Sequence, residues 1–96
     1  MDLEEILTKL TSASEYRIVF SRHAEERGYF RYIEKKTIES HLRHPYALRR
    51  CDRLEGAEKY KLRFIPHREI AYIYVVTIDN IGKEIFVVTA IRRMLR

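Results

Sequence analysis

The chain has 96 residues, 46% of them apolar and 34% charged, and 19 Lys and Arg against 14 Asp and Glu leave a net charge of +5. This length makes one domain over 1–96 and buries about 60–65% of the unfolded chain's surface, which excludes multidomain enzymes and deep cofactor vaults. The single cysteine, Cys51, excludes an internal disulfide and a thiol-only metal site. No apolar run reaches the ~18 residues of a membrane span, and the start, Met1 to Glu5, is acidic where a secretion signal is basic. The expected setting is a reducing cytoplasm, with no membrane.

Leu3, Ile6, Leu7 and Leu10 form one helical stripe, and Asp2 with Glu5 has the form of a capping box, so a first helix is expected over about 3–11. Thr11-Ser12-Ala13-Ser14 breaks the pattern, and Tyr16-Arg17-Ile18-Val19-Phe20 reads as a strand. After Ser21, His23 to Arg27 make a helical turn that Gly28 ends. The next helix is expected over about 33–43, with Ile38 and Leu42 as i, i+4 partners and Pro45 as its stop.

Beyond Pro45 the apolar period changes to two. Tyr60, Leu62 and Phe64 alternate with Lys59, Lys61 and Arg63, the pattern of a strand with one apolar and one cationic face. Residues 70–78 and 85–91 are apolar on both faces and are expected as central strands covered on both sides. Turn clusters at 65–68 and 79–82 join the three into an antiparallel meander. The fold class is α+β, with helices from the first half on one face of a sheet drawn mostly from the second.

The acidic leader, one lysine against four carboxylates over residues 1–15, concentrates the positive charge in the remaining chain and points to a polyanionic partner, RNA first. Lys59, Lys61 and Arg63 are spaced about 6.5–7 Å apart along one strand face, which suits successive phosphates. A solvated face that discourages edge pairing has the same composition. His23 and Arg27, at i, i+4, converge on one spot as a possible acid/base group beside a phosphate-holding guanidinium, or as a structural histidine and an ion-pair partner. Arg92 and Arg93 close the last strand, and alternation sends only one of them to the Lys61 face. Arg49, Arg50 and Arg53 gather near Tyr46, on whose ring a base can stack, although ordinary solvated arginines are the simpler reading. The four scattered histidines and Cys51 suggest no metal site, no glycine loop suggests a nucleotide cofactor, and Cys51 reads as a small buried hydrophobe.

Three segments, Glu58-Lys-Tyr-Lys-Leu-Arg-Phe64, Arg68 before Ile70-Ala-Tyr-Ile-Tyr-Val75, and Ile85-Phe-Val-Val-Thr-Ala-Ile-Arg-Arg93, resemble the strand meander of RelE/ParE-like toxins of toxin-antitoxin systems. Ile18 to Arg27 is similar to a branch of that superfamily that opens with Ser-x-His-Ala-x-x-Arg. The resemblance implies N-terminal helices on one face of a curved antiparallel sheet of about four strands, and a cationic groove on the other. It implies an mRNA interferase, a metal-independent endoribonuclease acting through the RNA's own 2′-hydroxyl, with ribosome-bound mRNA and a cognate antitoxin as partners and no cofactor. By position, Lys59 and Lys61 match the lysines that polarise the phosphate or deprotonate the 2′-hydroxyl, Arg63 belongs with them as an RNA contact, and Arg68 matches the arginine opening the next strand. Arg93, or Arg92 in a shifted register, matches the transition-state arginine, and His23 with Arg27 matches the second branch. No Tyr or His follows the last strand as in RelE-type toxins, which makes His23 the candidate for the missing acid or base. The alternative is a non-catalytic nucleic-acid-binding or protein-interaction module of the same fold.

Overall fold

The computed structural model describes residues 3–11, 15–28, 32–55 and 58–95. Helix α1 (Leu3–Thr11) buries Ile6 and Leu10 with Leu7 at their flank, as its stripe requires. The capping aspartate, Asp2, and the break at 12–14 lie outside the described residues. Strand β1 (Arg17–Phe20) passes through Ser21 into α2 (Arg22–Glu26), where Ser21 Oγ accepts the Ala24 N–H at 3.0 Å and so caps the helix. Gly28, at φ 73°, supplies the left-handed residue that stops it. Helix α3 (Lys35–Arg43) begins two residues later than the stripe suggests, because Glu34 is the extended residue before it and Ile33 packs into the core from outside the helix. Pro45 ends it by opening a 3-10 turn, Pro45–Ala47.

The sheet has five strands: β1, β2 (Leu48–Arg53), β3 (Lys59–His67), β4 (Ile70–Asp79) and β5 (Glu84–Met94), in the order β1-β5-β4-β3-β2. The fold is α+β as expected, and two parts of the expectation are corrected. The sheet is mixed, since β1 runs parallel to β5 with Ile18 opposite Ile85 and Phe20 opposite Val87. The fifth strand is β2, whose Leu48-Arg-Arg-Cys-Asp-Arg53 has no apolar alternation; it pairs antiparallel with β3 and derives its strand character from that partner. The first turn is also shorter than expected, at Arg68 and Glu69, because Ile65, Pro66 and His67 continue β3 past a register shift. In the second turn Asp79 Oδ1 accepts the N–H groups of Ile81 and Gly82, and a β-carbon on Gly82 would lie 2.5 Å from the Asp79 carboxylate.

All strand residues of the core cluster lie on one face of the sheet, among them Tyr60, Leu62, Phe64, Tyr74, Val76, Ile85, Val87 and Ala90, with Ile6, Leu10, Ile38 and Leu42 from the helices. The central strands are thus covered by this cluster on one side, not two. On the other face Val75, Thr77, Phe86 and Thr89 are half-buried, and Ile73, 8% exposed, stands in register between Arg63 and Ile91 outside the cluster. No helix among the described residues is long and apolar enough to cross a membrane.

Candidate nucleic-acid interface

The face opposite the helices carries a cleft of about 190 Å³ lined by Arg50, Asp52, Lys61, Arg63, Ile73 and Arg93. Its making follows from pairing. Lys61 and Arg63 alternate with the buried Leu62 and Phe64, so β3 presents them outward. Asp52 stands opposite Lys61, and Arg50 opposite Arg63. Arg50 Nε donates to Asp52 Oδ2 at 3.0 Å.

Two β-bulges aim the outer arginines. Leu48 faces the core and Arg50 would follow it there, but β2 spends two residues against one step of β3 between Leu48 and Arg50, and the phase inverts. In β5 the same happens between Val87 and Thr89, which pair with the adjacent Val76 and Val75. Strict alternation from the buried Ile85 would send Arg92 to the outer face; the extra residue, Val88, sends Arg93 instead.

Among the described residues the cleft therefore holds four cations and one carboxylate. No described carboxylate lies within ion-pairing distance of Lys61, Arg63 or Arg93, and Arg63 Nε is buried without a hydrogen-bond partner. Like charges directly across a strand pair, such as Arg50 and Arg63, destabilise a sheet, and a buried N–H without an acceptor costs about 1–3 kcal/mol. An anion in the cleft would relieve the repulsion.

Of the residues the sequence singled out, Lys61, Arg63 and Arg93 come together here. Lys59 is half-buried on the same face, one pleat along and opposite Thr77, outside the cleft lining. Arg68 is exposed in the β3–β4 turn. Arg92 stands opposite Tyr72 and lines a separate, larger hollow of about 340 Å³ with Gly28, Tyr32, Ile33, Ala90 and Ile91. His23 and Arg27 are exposed in and just after α2 and line neither hollow. Asp52 was not among the expected site residues, and Arg50 was expected only in the separate basic cluster near Tyr46; the long-range β2–β3 pairing brings them to Lys61 and Arg63.

His41 and His44 have different surroundings. His41 lies against Phe64, Tyr72 and Tyr74, whereas His44 stacks on Tyr46. Among the described residues no three His, Cys, Asp or Glu side chains come together as metal ligands. Cys51 packs against the core, and burial, followed by the adjacent Asp52 charge, pushes its thiol pKa up, away from nucleophilic character. Comparison with known proteins finds no family model, no characterised protein and no solved structure that matches the chain.

Proposed function

We propose that this protein is an RNA-directed, toxin-like domain, a metal-independent endoribonuclease whose cationic cleft holds the scissile phosphodiester. The observation that carries the reading is the cleft itself: four converging cations, one carboxylate and an orphaned buried guanidinium N–H on an otherwise well-paired sheet. A phosphate seated there accepts from Arg63 and meets Lys61 and Arg93 on either side. In-line attack by the RNA 2′-oxygen forms a bond to phosphorus as the bond to the 5′-oxygen breaks, giving a 2′,3′-cyclic phosphate and a 5′-hydroxyl. Negative charge grows on the phosphoryl oxygens during that step, and fixed cations stabilise it without reorganising. The 2′-hydroxyl proton must leave and one must reach the 5′-oxygen, and the lining offers Lys61 and Asp52 for this traffic. Ribosome-bound mRNA fits as substrate, and an acidic antitoxin segment fits as the partner that blocks the same cleft.

The test uses end-labelled single-stranded RNA in EDTA, alone and in a cell-free translation reaction, with new ends mapped by primer extension. Cyclic-phosphate ends are expected from the wild type, reduced about 100-fold or more in Lys61→Ala or Arg63→Ala, and none from a substrate with a 2′-deoxy residue at the cut. Absence of new ends under both conditions overturns the nuclease reading. Loss in His23→Ala with Lys61→Ala fully active moves the chemistry to α2 and overturns the cleft as active site. One observation favours a second reading, a non-catalytic RNA binder: among the described residues no histidine lines the cleft. That binder gives a steep salt dependence with no new ends.

A further inference from the structure

Tyr46 is 85% exposed, the most exposed aromatic among the described residues, yet its backbone is pinned. It sits in the 3-10 turn that Pro45 opens; its N–H donates to His44 O at 2.8 Å, and its carbonyl accepts from Arg49 Nη1 at 3.1 Å. The His44 ring runs nearly parallel to it, with centroids 6.2 Å apart and planes 15° apart. The backbone under the ring is held in place, His44 flanks the ring, and its faces are largely open to solvent, so it contributes little to the core.

The surroundings indicate what the open face suits. Tyr46 lies at the start of β2, an edge strand of the sheet. Arg49, the bulge residue, and Arg50, in the cleft, follow it. Four residues from Tyr46 to Arg50 span at most about 14 Å, so a backbone held in the cleft that crosses β2 passes two arginines before its next bases meet the ring. Aromatic rings among cations are how sequence-tolerant sites grip single strands; a protein hot spot instead needs an apolar, water-excluding surround.

We propose that Tyr46 is a stacking platform for a base of single-stranded RNA leaving the cleft over β2, with Arg49 holding the intervening phosphate. The proposal rests on the cleft binding RNA backbone. The test titrates a fluorescein-labelled single-stranded 12-mer RNA, the same length of abasic RNA and a duplex against wild type, Tyr46→Ala, Tyr46→Trp and Lys61→Ala at several salt concentrations. Tyr46→Ala is expected to weaken single-strand binding about 5- to 150-fold, from stacking of roughly 1–3 kcal/mol per base, with the salt slope unchanged and with no effect on abasic or duplex RNA. Tyr46→Trp should bind as the wild type, and since the chain has no other Trp, its indole fluorescence should be quenched by the 12-mer and not by abasic RNA. Lys61→Ala should flatten the salt slope. If Lys61→Ala behaves so while Tyr46→Ala binds like the wild type, the platform is refuted and the cleft stands. If neither substitution matters to RNA binding, the reading of the cleft fails and the platform with it.

Discussion

His41 is the residue whose chemistry most depends on its surroundings. Burial lowers its pKa and pushes that of Tyr74 far up. The Tyr74 hydroxyl and His41 Nδ1 share a hydrogen bond of 2.6 Å whose direction follows the ring's tautomer, with Phe64 and Tyr72 closing the other sides. A second proton on the ring would put a charge among these aromatic side chains, where burial disfavours it. Because the folded-state pKa lies below the unfolded value near 6.5, the unfolded chain takes up a proton that the folded chain refuses as pH drops below that value. Stability is therefore full above about pH 6.5 and declines below it, by at most about 1.4 kcal/mol per pH unit for one proton. Urea midpoints at pH 7.5 and 5.0 should show this decline shrinking in His41→Gln, which keeps an acceptor and cannot titrate. An equal decline in both proteins would assign the acid sensitivity elsewhere. The sequence shows His41 only as a histidine near the end of a helix; that it faces Tyr74 depends on how α3 lies across the sheet.

At the scale of elements, bulges decide the site. The alternation of Tyr60, Leu62 and Phe64 with Lys59, Lys61 and Arg63 is legible in the sequence because strand period is local, and the structure repeats it. The choice between Arg92 and Arg93 is not legible, since one unpaired residue, Val88, inverts everything after it. Arg93→Ala should therefore reduce RNA affinity and lower the slope of log affinity against log salt by about 0.7, the value for one single-strand phosphate contact. Arg92→Ala, against the separate hollow, should leave that slope unchanged. The reverse pattern would mean that β5 runs without its bulge in solution. Arg50 reaches the cleft by the same device in β2, a strand whose charged sequence hides it until β3 is available to pair with.

At the scale of the molecule, core and charge occupy opposite faces of one sheet. Leu10 is fully buried in α1, so Leu10→Ala should cost about 2–5 kcal/mol and lower Tm by several degrees per kcal/mol. RNA affinity measured well below the new Tm should stay within about twofold, because α1 packs on one face of the sheet, partly against β2, while the cleft side chains stand on the other. A loss of affinity that parallels the loss of stability would show that the faces are coupled. This separation lets the sheet tolerate cations without carboxylate partners: the apolar layer holds the strands together while the outer face carries the charge repulsion.

The sequence by itself determined the α+β class, the helical stripes of α1 and α3, the change from strand to helix at Ser21 and the two-faced character of β3, since each depends on spacing or chemistry within a few residues. Tertiary structure alone decided that β1 joins β5 in parallel, that β2 is a strand, that Asp52 and Arg50 stand beside Lys61 and Arg63, and that Arg93 faces the cleft. Those outcomes depend on which distant segments pair and where one residue is left over, and neither is encoded in local periodicity.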